Sequence, residues 1–425
     1  MLDKSVSDAY YRILQEELLP ATGCTEPIAI AYCAATARQV LDALPTRVEI
    51  AVSGNILKNV KSVVVPNTDG RKGIAAAAAA GIVAGNERRQ LQVIAEITPE
   101  QLHDLDAFLN NTPIVIRCSD SGLVFDIDIT VFSDAHAARV RIANHHTNIV
   151  CIERDGVQQK ANAIAEATEE TLCDKSVLNV RDIVEFADTA DLTPVIDLLR
   201  RQIAYNSAIA EAGIHGNYGA NVGRVLLQDF GTDIRNEARA YAAAGSDARM
   251  SGCDMPVVIL SGSGNQGITA SVPVIRYAKH LGASEEALFR ALVVSDLVTI
   301  HQKTGIGRLS AFCGAVCAGC GAGAGIAYLC GGGYDAIAHT VVNALAIISG
   351  IVCDGAKPSC AAKIATAVEA GILGYHMYRN DQQFYGGDGI VVKGVDNTIR
   401  NVGRLAKCGM RSTDEEIIKI MLEEK

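Results

Sequence analysis

An uncharged run of 21 residues, from Ser310 to Cys330, limits most strongly what this chain can fold into. It consists mainly of Ala, Gly and Cys, and its few large side chains are those of Phe312, Val316, Ile326, Tyr328 and Leu329. The run is long enough to span a bilayer, but no basic flanks or aromatic belts mark membrane interfaces. Small residues let helices approach each other closely. The run therefore predicts a buried helix in the centre of a helical domain, and no membrane span.

Residues 46–152 alternate between apolar and polar side chains with a period of two, which is typical of β-strands. Strands are predicted at 48–53, 62–65, 91–95, 114–117, 123–131 and 138–143. Segments with helical spacing precede or interrupt them, at 6–19, 28–44, 73–86 and 98–110. This part of the chain is predicted to be an α+β domain with one sheet and helices on one face.

After a polar connection at about 153–192, nearly every segment has a helix-length apolar pattern. Helices are predicted at 192–212, 233–244, 266–281, 284–301, 307–329, 334–351, 357–373 and 398–406. The predicted fold is an α+β N-terminal domain, residues 1–190, followed by an all-α C-terminal domain, residues 191–425. The buried Ala/Gly-rich helix is the central helix of the second domain.

Charge and cysteine content restrict the class of protein. The net charge is −10 without an acidic or basic block, which argues against binding to nucleic acid. The 13 cysteines are an odd number, unevenly spread, and the polar start of the chain lacks the apolar segment of a signal peptide. A reducing, cytoplasmic setting with reduced or metal-bound cysteines is therefore expected.

Three cysteines in two segments form a candidate metal site. Cys353 and Cys360 flank a short segment that contains Gly355, so this segment can fold back and direct both sulfurs to one point. Cys313 stands 40 residues before Cys353. Soft sulfur ligands select iron–sulfur clusters, zinc or copper(I), and three ligands leave one corner of a cluster open to a substrate. The alternative is that these are ordinary buried cysteines.

Cys24 lies in a short turn before a predicted helix. Thr25 is expected to be the N-cap residue, since Glu26 and Pro27 suit a first helical turn. The helix dipole at that position favours a thiolate and is expected to lower the pKa of Cys24. The alternative is a small residue that merely fits a tight turn.

Polar side chains at predicted strand ends are candidate binding groups. Asn55 and Lys58 lie in one polar turn and residues 66–73 in another, although both segments can be turns without a function. The neighbours His145 and His146 do not predict a zinc site, because adjacent side chains of a strand point in different directions and no further ligand follows at the right spacing. One of them, taken as His146, is expected to contact a substrate carboxylate or the backbone.

A Gly/Ser-rich loop follows an extended apolar run and leads into a predicted helix. The loop carries Ser261, Ser263, Asn265 and Gln266, and backbone N–H groups at such a helix start bind phosphate or carboxylate. It is not a Walker pattern, which needs Gly-Lys-Ser/Thr, nor a GxGxxG loop in a βαβ unit, and over a few residues it is similar to the Ser-Gly-Asn loop of pyridoxal-phosphate enzymes. Just upstream, Arg249 can supply a cation to a carboxylate or form a surface salt bridge.

Four motifs follow one another along the chain: Gly23-Cys24-Thr-Glu-Pro27, Ser261-Gly-Ser-Gly-Asn-Gln-Gly267, Arg308-Leu-Ser-Ala-Phe-Cys313 and Cys353-Asp-Gly-Ala-Lys-Pro-Ser-Cys360. Together, and almost from end to end, they resemble the bacterial and archaeal L-cysteine desulfidases, a family related to the alpha chain of iron–sulfur L-serine dehydratases. The resemblance implies a [4Fe-4S] lyase that converts L-cysteine and water to sulfide, ammonia and pyruvate. By motif, Cys24 is the catalytic base and the cluster ligands are Cys313, Cys353 and Cys360.

The same resemblance implies an active site at the interface of the two domains, with Cys24 close to the cluster. The expected partner is a small amino acid whose carboxylate lies in the 261–267 loop, and Asn55, Lys58 or His146 would complete the contacts. Near the first ligand, the extra thiols of Cys317 and Cys320 leave the choice of ligand in that run open. A homo-oligomer also remains open.

Three alternatives to the desulfidase are considered. An iron–sulfur L-serine dehydratase would use the same cluster with a hydroxyl leaving group, and the sequence does not separate the two. A non-enzymatic iron–sulfur redox or metal-binding protein would bind the cluster and eliminate nothing. A pyridoxal-phosphate enzyme is disfavoured, because no lysine motif for the Schiff base is evident.

Overall fold

A sheet lies in the N-terminal part of the chain and helices fill the C-terminal part, as predicted. The computed structural model describes residues 2–162, 173–307 and 309–423; the remainder of the polar connection and Arg308 of the third motif lie outside these residues. The strands are β1 (Pro20–Thr22), β2 (Arg47–Val52), β3 (Ile114–Cys118), β4 (Asp126–Phe132), β5 (Ala137–Ala143), β6 (Ile149–Arg154), β7 (Val157–Ala161) and β8 (Pro256–Val258).

The helices have the following bounds. Before residue 190 they are α1 (Lys4–Glu17), α2 (Thr25–Leu41), α3 (Gly54–Val60), α4 (Gly73–Ala84), α5 (Pro99–Asn111) and α6 (Val180–Thr189). After it they are α7 (Ile196–His215), α8 (Val222–Phe230), α9 (Ile234–Met250), α10 (Gly264–Leu281), α11 (Glu285–Ile306), α12 (Gly314–Leu329), α13 (Tyr334–Ile347), α14 (Cys360–Arg379), α15 (Val395–Arg404) and α16 (Arg411–Glu423).

Six strands form one sheet in the order β3-β2-β4-β5-β6-β7, antiparallel except for the parallel pair of β2 and β3. Strand β4 shows why the sheet has one apolar face: Ile127, Ile129 and Val131 are fully buried, and the side chains between them are partly exposed. Helix α2 packs against β4, β5 and β6. Charged pairs such as Arg139 with Asp128 (2.7 Å) lie among the partly exposed side chains.

Four predicted strands are confirmed with small shifts of their ends, those at 48–53, 114–117, 123–131 and 138–143. The strands predicted at 62–65 and 91–95 are wrong. In the first segment Val64 makes only an isolated bridge to Lys72, and Pro66 next to it has no N–H to extend a ladder. The second segment belongs to a 3₁₀ helix and the turns after it.

Other local predictions also needed correction. The sequence does not predict β6 and β7. Strand β7 is exposed along its whole length and shows no alternation of apolar and polar side chains. The polar turn that holds Asn55 and Lys58 is helix α3, whose first turn is capped by Ser53 Oγ, which accepts a hydrogen bond from the Ile56 N–H (3.4 Å). Its apolar residues Ile56 and Val60 are fully buried, but the segment is too short to show a helical pattern in the sequence.

The eight predicted C-terminal helices are all present with shifted ends. The sequence does not predict α6, α8 and α16; the first lies within the segment interpreted as a polar connection. In helix α12 every side chain from Ala315 to Ala327 is buried, as expected for a central helix, and α10, α11, α13 and α14 pack around it. Across the described parts of the chain, no helix is long and apolar enough to cross a membrane.

Two apolar cores hold the elements together. One joins α2, α4 and the sheet, and the other joins the C-terminal helices with α1 and α6. Tyr10, Ile13 and Leu14 of α1 are fully buried in the second core. The division into domains at residues 190 and 191 stays a prediction.

Glycines allow the backbones of α12 and α14 to touch. A Cβ atom on Gly371 would stand 2.2 Å from the carbonyl oxygen of Gly319, and one on Gly323 would stand 2.6 Å from the carbonyl oxygen of Gly371. Backbone atoms cannot rotate out of the way as a side chain can. This close packing therefore requires glycine at these positions.

We expect Gly371→Ala to lower the free energy of unfolding by roughly 1–3 kcal/mol, because overpacking against backbone forces the two helices apart. Denaturant unfolding of the full chain measures the change. The matched control is Gly305→Ala inside α11, where the new Cβ would stand 3.4 Å from its nearest neighbour, the Cα of Gly403. Equal midpoints for both variants would contradict the packing argument.

Candidate active site

One cavity, with about 740 Å³ of empty space including the solvent at its mouth, brings together segments that are far apart in the sequence. Both apolar cores contribute to its walls. Seven of the predicted site residues line it: Cys24, Ser263, Asn265, Gln266, Cys313, Cys353 and Cys360. Further lining groups include Glu26, Asn59, Arg249 and Lys303.

A short antiparallel bridge places Cys313 beside Cys353. The Cys313 N–H donates to the carbonyl of Ile351 (2.8 Å), and the Cys353 N–H donates to the carbonyl of Ala311 (2.7 Å). This pairing keeps residues 311–313 extended, so helix α12 begins at Gly314 and not at the predicted residue 307. The two cysteines are thus aligned by backbone hydrogen bonds.

The segment between Cys353 and Cys360 folds back at Gly355, which has a φ of 98°. A side chain there would be strained, and its Cβ would stand 2.2 Å from the carbonyl oxygen of Lys58. The Cys360 N–H then donates to the carbonyl of Lys357 (3.0 Å) as helix α14 begins. The third thiol therefore reaches the same cavity as the first two.

The thiols of Cys313 and Cys353 shift each other's pKa. The neighbouring Cys313 thiol lowers the pKa of Cys353 despite burial, and the ammonium groups of Lys58 and Lys303 lower it further. The Cys353 sulfur, together with burial, raises the pKa of Cys313. A thiolate is the form that binds a metal, so Cys353 is the member of this pair that is prepared for it.

Strand β1 and the turn after it carry Cys24 to the cavity. The strand pairs with β8, which directly precedes the 261–267 loop. Gly23, with a φ of 67°, turns the chain where a Cβ would overlap Pro66. The hydroxyl of Thr25 donates to the carbonyl of Gly262 (3.1 Å) and ties this turn to the loop.

The expected capping and pKa of this turn are both wrong. Cys24, and not Thr25, is the N-cap residue of α2, and its side chain makes no capping hydrogen bond. The thiol donates instead to Oε2 of Glu26 (3.1 Å). Burial, followed by the negative charge of Glu26, raises the pKa of Cys24 well above its ordinary value, and Arg249 opposes this only in part. Burial and a carboxylate outweigh the helix dipole.

Glu26 lines the cavity although the sequence did not predict it as a site residue. Its Oε2 accepts hydrogen bonds from Cys24 and Thr25, and its Oε1 accepts one from the amide of Asn59 (3.1 Å). Burial alone would raise its pKa, but His146, the Cys24 hydrogen bond and Arg249 lower it, so the carboxylate is ionised. The sequence feature that could have indicated Glu26 is its position two residues after Cys24, the candidate base.

Four predicted contact residues do not line the cavity. Lys58 is buried and pairs with Asp414 of helix α16 (2.5 Å). Asn55 lies in a separate groove beside α16, and Ser261 lines a small neighbouring cavity. The ring of His146 packs edge-on against Phe125 (4.7 Å between ring centroids), close enough to Glu26 to lower the pKa of its carboxyl group.

The extra thiols of the α12 run are also outside the cavity lining. Cys317 and Cys320 are fully buried inside the helix bundle, and burial raises the pKa of Cys317 to about 11. The carbonyl of Cys317 accepts hydrogen bonds from Gln302 (3.3 Å) and Thr299 (3.5 Å) of α11. These contacts suit packing residues.

The three cysteines suit a cluster and not a single metal ion. Within residues 2–162, 173–307 and 309–423, no three His, Cys, Asp or Glu side chains are close enough to hold one metal ion. Each cysteine ligand of a [4Fe-4S] cluster binds a different iron, so these ligands stand farther apart than those of one ion. Three soft donors that line one cavity, one of them with a lowered pKa, fit such a cluster; they do not fit a mononuclear zinc site.

Comparisons with known proteins identify the family of the chain. The sequence model described as "Serine dehydratase alpha chain" matches residues 88–419. A UPF0597 protein of Desulfitobacterium hafniense is 61% identical over 98% of this chain and 96% of its own length. Two others, from Lachnoclostridium phytofermentans and Finegoldia magna, are each 47% identical over 96–97% of this chain and 98–99% of their own lengths. The chain belongs to the iron–sulfur serine dehydratase alpha-chain-like family.

Proposed function

We propose that the protein is a [4Fe-4S]-dependent lyase that converts L-cysteine and water to sulfide, ammonia and pyruvate. The observation that carries the proposal is the common cavity of four thiols from three segments, Cys24, Cys313, Cys353 and Cys360. Two functions are assigned to these thiols. Three hold the cluster, and Cys24 handles the proton of the substrate Cα.

The proposed cluster ligands are Cys313, Cys353 and Cys360. A [4Fe-4S] cluster held by three cysteines supplies an iron with an open position, a Lewis acid for the leaving heteroatom of the substrate. Lys58 takes part indirectly: its carbonyl fits against Gly355, and its ammonium lowers the pKa of Cys353. We therefore assign Lys58 to the support of the cluster loop.

The proton chemistry assigned to Cys24 includes Glu26, because the raised pKa of the thiol requires an acceptor for its proton. The Cys24 proton passes along the existing hydrogen bond to Oε2 of Glu26. The thiolate then takes the Cα proton and becomes a thiol again, while the C–S bond breaks. Protonated Glu26 gives its proton to the departing sulfide, and the resulting aminoacrylate tautomerises and hydrolyses to pyruvate and ammonium.

The substrate lies between Cys24 and the three cluster cysteines in this proposal. Ser263, Asn265 and Gln266 keep their proposed contact with it, since all three line the cavity at the start of α10. Gln266 packs over Gly314, directly after Cys313, where a Cβ would stand 2.5 Å from its amide carbon. This glycine leaves room for the amide between the loop and the cluster site.

An iron–sulfur L-serine dehydratase is the second candidate, and the description of the family model favours it. Both reactions use the same groups and differ in the leaving atom, sulfur or oxygen. Sulfur is the softer ligand for iron, which favours cysteine. A non-enzymatic iron–sulfur protein and a pyridoxal-phosphate enzyme remain alternatives. A cytoplasmic location and assembly into a homo-oligomer also stay predictions.

The first prediction concerns iron. We expect Cys313→Ser, Cys353→Ser and Cys360→Ser each to abolish iron retention, because each removes one thiolate ligand. Iron and acid-labile sulfide are measured on anaerobically purified protein. Cys317→Ala is the matched control on helix α12, and replacement of Cys33, Cys118 or Cys408 should also leave the iron content unchanged. Full iron in all three ligand variants would refute the assignment.

The second prediction concerns the base. Cys24→Ala and Cys24→Ser should retain the cluster and lose about 10²–10⁴-fold in kcat, the typical contribution of general-base catalysis. An alcohol hardly ionises near neutral pH, so serine does not replace the thiol. Loss of iron in Cys24→Ala would instead make Cys24 a ligand, and unchanged turnover would make it a packing residue.

A third prediction tests Glu26 by pH. Glu26→Gln removes the carboxylate that raises the pKa of Cys24, so the Cys24 thiolate should form at a lower pH, although burial still holds its pKa up. Iodoacetamide modification of the Cys24 peptide, followed by mass spectrometry across pH, measures the shift. Turnover should fall despite the easier ionisation, because the proton acceptor is lost. An unshifted labelling profile would contradict the proposed coupling of Cys24 and Glu26.

The fourth prediction separates the candidate functions. With iron-loaded protein, kcat/KM for L-cysteine should exceed that for L-serine by at least about 10-fold, since only a thiol leaving group matches the softness of iron. Sulfide, ammonia and pyruvate are measured side by side under anaerobic conditions. The reverse ratio would assign a serine dehydratase. Elimination of neither substrate by iron-replete protein would favour the non-enzymatic alternative.

A further inference from the structure

Arg249, the penultimate residue of α9, is a buried cation on the cavity wall. Only 3% of the residue is exposed. One guanidinium nitrogen, Nη1, donates to the amide oxygen of Asn265 (3.2 Å), and Nε has no hydrogen-bond partner. No Asp or Glu in the described parts of the chain forms an ion pair with it. The guanidinium lines the cavity and lowers the pKa of Glu26 without forming an ion pair with it.

Other arginines of the same helix bundle form ion pairs with carboxylates. Arg239, on the same helix, pairs with Glu369 (3.3 Å), and Arg276 of α10 pairs with Glu211 (3.4 Å). Removing a charge from water is costly unless a counter-charge compensates it. Both of these arginines are more exposed than Arg249 and still have a carboxylate. The unpaired guanidinium is therefore suited to a ligand that brings its own negative charge.

The space around the guanidinium is also fitted to it. A Cβ on Gly264 would stand 2.3 Å from Nε of Arg249, so the glycine that opens α10 makes room for this group. Asn265 directs Nη1 by its hydrogen bond. In the same cavity the buried Oε1 of Gln266 is an acceptor without a hydrogen-bond partner.

We infer that Arg249 binds the α-carboxylate of the substrate and that Gln266 faces its α-ammonium group with Oε1. This inference rests on the proposed function and adds a specificity-determining residue to it. A guanidinium binds a carboxylate with two parallel hydrogen bonds, which fixes the orientation of the Cα–H bond as well as the affinity. The site accordingly selects small zwitterionic α-amino acids and rejects amines that lack the carboxylate.

The test uses a ligand that cannot react. L-Alanine has both charges but no β-leaving group, and ethylamine is the same molecule without the carboxylate. Isothermal titration calorimetry with the full-length, iron-loaded chain should show that Arg249→Gln weakens L-alanine binding roughly 10- to 100-fold, the typical range for a lost hydrogen bond to a charged group. Ethylamine should bind weakly and equally to both proteins. The affinity of Arg249→Lys for L-alanine should lie between those of Arg249→Gln and the unchanged chain, since lysine keeps the charge and loses the fork geometry.

Two further variants make the outcome specific. Gly264→Ala should also weaken L-alanine binding, because its methyl group displaces the guanidinium. Arg239→Gln, the same substitution on the same helix but outside the cavity, should bind L-alanine like the unchanged chain. Unaltered L-alanine binding in Arg249→Gln, or an equal loss of L-alanine and ethylamine, overturns the inference. Because L-alanine is not eliminated, this result is independent of which substrate the protein consumes, or whether it consumes any.

Discussion

The separation between the backbones of α12 and α14 controls the geometry of the thiol site. The two helices touch at Gly319, Gly323 and Gly371, where no side chain fits between them. Contacts of residue 319 with 367 and of 323 with 371 keep the helices in a parallel register, so their N-terminal ends lie together. Cys313 precedes the first residue of α12 and Cys360 is the first residue of α14. Small residues far from the cavity thus determine where two of its thiols lie.

Contacts between distant segments complete the site. Gly355 touches the carbonyl of Lys58 in α3, and the side chain of Lys58 pairs with Asp414 near the C-terminus. On the opposite side the hydroxyl of Thr25 bonds to Gly262. The latter two contacts join residues separated by 356 and 237 positions, so the cavity forms only after both cores have assembled. Its geometry is a property of the tertiary fold.

This dependence explains which features the sequence could predict. Strong periodic patterns predicted the C-terminal helices and four of the strands, and the motifs predicted which thiols share a cavity. The environment of each group was not predictable. The expected low pKa of Cys24 followed from its helix N-terminus, which is local, whereas burial and the orientation of Glu26 depend on the packed structure. The sequence predicts Lys58 as a substrate contact and not as half of an ion pair, because its partner Asp414 lies near the other end of the chain.

The fold shifts the pKa values of two thiols of one cavity in opposite directions. Burial and Glu26 raise the pKa of Cys24, while the neighbouring Cys313 thiol, together with Lys58 and Lys303, lowers that of Cys353. A general base must lose its proton before it can take one from the substrate, and a metal ligand must also have lost its proton. Environments that separate the pKa values of similar groups are how one site performs acid–base and ligand chemistry at the same pH. The pKa values of Cys313, beside Cys353, and of the half-buried Cys360 are raised as well, so the lowered pKa distinguishes Cys353 alone. The assignment of all three thiols as ligands rests on the cavity that they share.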